Sequence, residues 1–129
     1  MEKTKPTIYL VDSDTSTRRG LTNLLTVAGY EVFTSKSYKE FAQSQRSHSD
    51  ACLLLDADTS WVSINDLKVK IRQKKADFPA ILISSQNNDE SRQKALLINA
   101  SGLFRKPVDG PALIDAIRWA IESYKNEEC

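Results

Sequence analysis

The 129-residue sequence predicts an α/β fold, a doubly wound five-stranded parallel sheet with helices on both faces. Three observations carry this expectation. Short apolar runs alternate with segments whose apolar residues recur at helical spacing. The run Ala51 to Leu55 (ACLLL) has no polar position, as a central strand covered on both faces requires. Residues that start and stop helices stand at the breaks between these segments.

Thr7 to Val11 is the first strand. The helix after it runs from about Thr15 to Ala28, with Leu21, Leu24, Leu25 and Ala28 on one face and Gly29 ending it. Tyr30 to Thr34 is the second strand, and Tyr38 to Gln45 a short second helix. Beyond the central strand, Ile64, Leu67 and Ile71 mark a third helix; its other positions carry Lys68, Lys70, Arg72, Lys74 and Lys75. Ala80 to Ile83 (AILI) is the fourth strand, and a fourth helix spans about Asp89 to Ala100, followed by Gly102. Leu103 to Arg105 is a short fifth strand. Asp109 caps the last helix and Pro111 lies in its first turn. Leu113, Ala116, Ile117, Ala120 and Ile121 form the buried stripe of that helix.

Length and composition narrow the function classes. Residues 1–129 read as one domain, with a core of about residues 7–124 and short tails. Apolar residues make up 40% and charged residues 27%, an ordinary composition for a folded domain in water. No stretch approaches the ~20 apolar residues that span a bilayer, and the N-terminus does not read as a signal peptide. Cys52 lies in an apolar run and Cys129 is the last residue, so no disulfide framework is expected. These features point to the cytoplasm. A formal net charge of +1 gives no general drive toward nucleic acid or membrane, and one histidine, His48, makes no zinc site.

In a doubly wound sheet, ligands bind beyond the carboxyl ends of the strands. Asp12, Ser13 and Asp14 follow the first strand; Asp56, Ala57 and Asp58 follow the third. Ser84 and Ser85 follow the fourth, and Lys106 and Pro107 follow the fifth. Two carboxylates on neighbouring strand ends repel each other and are costly near an apolar core. A divalent cation with oxygen ligands relieves that cost, and magnesium is the usual cytoplasmic choice. A lysine and a hydroxyl opposite supply the positive charge and hydrogen-bond donor that a phosphoryl group needs. An aspartate there can attack phosphorus and form an acyl phosphate.

The ordered set LVDSD, LLLD, ILISS and FRKPV resembles the receiver domain of bacterial response regulators, over roughly residues 7 to 124. The stretch RRGLTNLLTVAGYEV resembles receivers of helix-turn-helix transcription regulators in particular. The resemblance implies a flavodoxin-like strand order, 2-1-3-4-5. It assigns Asp56 as phosphoacceptor, Lys106 as the partner lysine, Ser84 as the switch hydroxyl and Pro107 as the residue after a cis bond. Asp12, Asp56 and the backbone carbonyl of Asp58 match the metal positions; Ser13 and Asp14 suit either the metal shell or the helix start, where Asp14 can serve as N-cap of the first helix. It further implies a histidine kinase as donor, an effector domain or protein target as output, and a homodimer through the face of the fourth and fifth helices. Activity would be limited to self-catalysed phosphoryl transfer and dephosphorylation, with no direct nucleic-acid contact.

Four positions depart from the family pattern. Ser13 stands where a second acid is usual, so weak magnesium binding is expected. Ser60 and Ile64 replace a proline and a glycine, and Leu103 replaces the switch aromatic. These departures motivate an alternative, a degenerate receiver that binds its partner without phosphorylation. A third reading comes from LLLDADTS, which resembles the Asp-x-Asp-x-Thr strand end of haloacid-dehalogenase-type phosphohydrolases, with Asp56 as nucleophile and Asp58 as acid/base. A strand and helix precede the motif here, and a late acidic pair is missing. Outside the site, the basic run Lys68 to Lys75 reads as a solvated helix face and His48 as a loop residue. Trp61 is close enough to Asp56 in sequence to sense a metal, while Trp119 suits either core or partner contact.

Overall fold

The apolar runs become the strands of one parallel sheet in the computed structural model, which describes residues 5–44, 50–58, 78–86 and 89–127. The strands are β1 (Thr7–Val11), β2 (Glu31–Ser35), β3 (Ala51–Asp56), β4 (Ala80–Ser84) and β5 (Gly102–Arg105). The described helices are α1 (Thr15–Val27), α2 (Tyr38–Ser44), α3 (Asp89–Leu97) and α4 (Gly110–Glu127). The helix expected around Ile64 to Ile71, with the basic run Lys68 to Lys75, lies outside the described residues. So do His48, Ser60, Trp61 and Cys129.

The strand order is β2-β1-β3-β4-β5, all pairs parallel, as expected. Every residue of β1 and β3 is buried, which explains the apolar runs Ile8 to Val11 and Ala51 to Leu55. Successive side chains of a strand point to opposite faces, and this sorts the core into two layers. On one face, Ile8, Leu10, Cys52, Leu54, Ile81 and Ile83 pack against Leu21 and Leu25 of α1 and Leu113, Ile117 and Ile121 of α4. On the other, Tyr9, Val11, Leu53, Leu55 and Leu82 meet Tyr38 and Phe41 of α2, with Phe78 and Ile98. Each large apolar side chain so buried contributes roughly 1.5–3 kcal/mol of transfer free energy. Tyr9 anchors the second layer, its ring centroid 5.4 Å from those of both Phe41 and Phe78.

Helix ends follow the expected chemistry, with two corrections. The Asp14 carboxylate accepts the Thr17 N–H at 3.1 Å and caps α1; Asp109 caps α4 through the Ala112 N–H at 3.1 Å. Gly29 takes φ +101, and the Tyr30 N–H closes the turn onto the Leu25 carbonyl at 3.0 Å. Ala28, expected on the buried face of α1, is exposed at its C-cap. The fourth sequence helix, expected to reach Ala100, ends at Leu97. Asn99 adopts φ +54, and the Ala100 N–H turns back to the Ala95 carbonyl at 2.8 Å, which terminates the helix.

Candidate functional site

The sheet register brings the four loops together. Val11 pairs with Leu55, so Asp12 and Asp56 come next to each other as their strands end. Asp56 pairs with Ile83 and Ser84 with Arg105, which sets Ser84 and Lys106 one step further along the same edge. Asp12, Asp56 and Ser84 are each at most 3% exposed. The Lys106–Pro107 bond is cis, and the Lys106 N–H donates to the Ser84 carbonyl at 2.9 Å.

Lys106 provides the positive charge for both buried acids. Its Nζ lies 3.0 Å from Asp12 Oδ2 and 3.4 Å from Asp56 Oδ1. Burial alone would pull the ammonium down, but contact with Asp12 and the charges of Asp56 and Asp12 outweigh it, so its pKa sits above the ordinary value. The side chain is therefore a fixed cation at any physiological pH. Asp56 Oδ1 also accepts the Asp58 N–H at 3.0 Å, and Asp12 Oδ1 accepts the Asp14 N–H at 2.8 Å. Arg18 on α1 donates to the Asp12 carbonyl at 2.7 Å, a tie that no sequence signal identified.

The remaining expected residues part company. The Asp14 carboxylate is occupied at the start of α1, where the Thr17 N–H and hydroxyl hold its pKa below the ordinary value. Ser13 is exposed beside it. Asp58 turns its side chain toward β4, accepting the Ser85 N–H at 2.6 Å and lying 3.2 Å from the Ser84 hydroxyl. Partial burial would raise the Asp58 pKa, but the bonds from Ser85 and Ser84 and the Lys106 charge lower it overall. The Ser84 hydroxyl also meets the Gln86 carbonyl at 2.8 Å and the Ser91 hydroxyl at 2.9 Å. Lys94 on α3 donates to the Ala57 carbonyl at 3.0 Å. Sequence reasoning passed over Ser91 and Lys94, because only the packing of α3 brings them to the site.

Among the described residues, no three His, Cys, Asp or Glu side chains cluster as a preformed metal cage. The donors present still fit magnesium, which accepts one or two carboxylates and keeps several waters. Asp12 Oδ2 is buried, and its close neighbour is the Lys106 ammonium at 3.0 Å. Such an oxygen suits a hard cation. No helix among the described residues is long and apolar enough to cross a membrane.

Comparison with known proteins agrees with this geometry. The family model described as "Response regulator receiver domain" matches residues 8–118. Nodulation protein W of Bradyrhizobium diazoefficiens is 30% identical over 119 residues, covering 92% of this chain and 52% of that protein. Transcriptional regulatory protein TdiR of Thauera aromatica is 28% identical over 115 residues, covering 89% and 51%. The chain thus spans about half the length of these relatives. Among solved structures, response regulator StyR superposes with TM-score 0.83 at 30% identity, over 97% of this chain and 63% of that one. The Vibrio cholerae chemotaxis protein CheY4 shares the fold at TM-score 0.78 and 20% identity, over 91% and 99%.

Proposed function

The chain belongs to the response regulator receiver domain family, and on that premise we propose that it accepts a phosphoryl group on Asp56 from a histidine kinase and thereby switches a protein-interaction surface. The observation that carries this reading is the Lys106 ammonium, held 3.0 Å from Asp12 and 3.4 Å from Asp56 at the carboxyl edge of the sheet. A carboxylate oxygen of Asp56 attacks the phosphorus of a phosphohistidine. The new O–P bond forms as the P–N bond breaks, and its electron pair leaves with the imidazole. Lys106 stabilises negative charge on the transferring oxygens, and the Ser84 hydroxyl donates to one of them once the acyl phosphate exists. Asp12, Asp56 and the Asp58 carbonyl would hold magnesium, which when bound neutralises charge on the transferring group. With Ser13 exposed and Asp14 occupied as a cap, that ion is held by few charges and binds weakly.

The output surface fits the same reading. Leu96 on α3 is 80% exposed and Trp119 on α4 is 61% exposed, on the helices covering opposite faces of edge strand β5. Exposed apolar side chains of this size suit a protein target, a linked effector domain or a second copy. The relatives named as transcription regulators favour an effector that controls transcription, in a cytoplasmic setting. The phosphohydrolase reading gains no support, because Asp58 is engaged by Ser84 and Ser85. Intact-mass measurement after incubation with acetyl phosphate and magnesium tests the proposal. One added phosphoryl group is expected, and none on Asp56→Asn. No adduct on the unaltered chain would favour the phosphorylation-independent interaction module.

A further inference from the structure

Beyond the acceptor and its cation, a second set of side chains meets the switch hydroxyl. Ser84 Oγ has one proton, and three acceptors lie in reach: the Gln86 carbonyl at 2.8 Å, the Ser91 hydroxyl at 2.9 Å and Asp58 Oδ1 at 3.2 Å. The buried Ser91 hydroxyl also reaches the Gln86 carbonyl at 2.8 Å, so Ser84, Ser91, Gln86 and Asp58 share one hydrogen-bonded cluster. Asp58 is held in turn by the Ser85 N–H at 2.6 Å. Lys94, paired with Glu90 at 3.5 Å, ties α3 to the acceptor loop through the Ala57 carbonyl. Ser84, the turn at Asp58 and α3 are thus tied to one another in the resting state.

We propose that Asp58, Ser91 and Lys94 form a resting-state clamp that competes with the phosphoryl group for the Ser84 hydroxyl and holds α3 against the acceptor loop. The inference rests on the phosphoacceptor reading of Asp56. A hydroxyl cannot donate its single proton to this resting cluster and to a phosphoryl oxygen at once, so occupation of Asp56 must break the clamp. Its release frees Ser91 and Lys94 together, and α3 is then free to shift. Ser91 and Lys94 are positioning residues, since neither touches the reacting atoms, and the Asp58 carboxylate acts in the clamp while its backbone faces Asp56.

The test measures binding of beryllofluoride with magnesium, an acyl-phosphate mimic, to the unaltered chain, Lys94→Met and Ser91→Ala. Lys94→Met separates two explanations by sign. Loss of a nearby positive charge would by itself weaken binding of an anion, whereas loss of the clamp strengthens it. The expected gain in affinity is about fivefold to tenfold for each variant, the size of one hydrogen bond removed from the competing state. Weaker or unchanged binding by Lys94→Met would overturn the clamp. Amide exchange without beryllofluoride provides a readout independent of Asp56 chemistry. Faster exchange at Ser85 and along α3 in both variants is expected, and unchanged exchange in both rejects the clamp. If beryllofluoride binds to no form, the phosphoacceptor reading falls and the exchange rates alone judge the clamp.

Discussion

Lys106 Nζ stands 3.4 Å from Asp56 Oδ1, so the proposed acceptor is held beside a fixed positive charge before any substrate arrives. The same ammonium serves Asp12 at 3.0 Å, and its side chain is only 18% exposed. Two carboxylates and one cation leave a net negative site. That imbalance makes an added metal favourable and limits how tightly the resting site can close.

Replacing Lys106 by methionine removes the ammonium that lies within ion-pair distance of both acids. Loss of one partner from a buried pair costs roughly 3 kcal/mol. Urea denaturation should show that loss in metal-free buffer, and magnesium should restore part of it by replacing the ammonium as counter-charge. A variant whose deficit ignores magnesium would contradict placement of the cation at Asp12 and Asp56.

Ser13→Asp adds a carboxylate next to Asp12, at the position that leaves the site short of charge. Titration calorimetry should show magnesium affinity rising roughly tenfold, equivalent to about 1.4 kcal/mol. Equal affinity in the two proteins would mean that this position does not face the ion.

Burial pushes the Tyr38 phenol from 10.0 up to about 12. The fold favours the neutral form, so the stabilisation is complete below pH 10 and is lost as pH rises toward 12. Each pH unit between the two values corresponds to roughly 1.4 kcal/mol. Tyr38→Phe should therefore flatten the decline in stability across that window in denaturation curves. Parallel curves for both proteins would contradict the assignment.

The sheet and the convergence of loops at its carboxyl edge were legible in the sequence for physical reasons. A parallel strand covered on both faces must be apolar along its length, and Ala51 to Leu55 announces that by itself. Gly29, Asp14 and Asp109 carry chemistry specific to helix ends, and each sits at one. The end of α3 was less legible, because asparagine can stop a helix in the left-handed region without advertising it as glycine does. At the site, Asp12, Asp56, Ser84 and Lys106 could be found because each directly follows or ends a strand. The Asp58 carboxylate could not, since its side-chain direction depends on the turn made by residues 56–58. Ser91 and Lys94 were hidden for a similar reason: their reach depends on how α3 lies against β4 and the acceptor loop. Trp119, suited by sequence to either core or surface, proves exposed.

The most direct test of the central claim locates the phosphoryl group chemically. Chain treated with acetyl phosphate and magnesium is reduced with borohydride, which converts an aspartyl phosphate to homoserine, and then digested and mapped by mass spectrometry. Homoserine at position 56 and at no other aspartate is the expected result. Homoserine at Asp12 or Asp58, with position 56 unchanged, would contradict it.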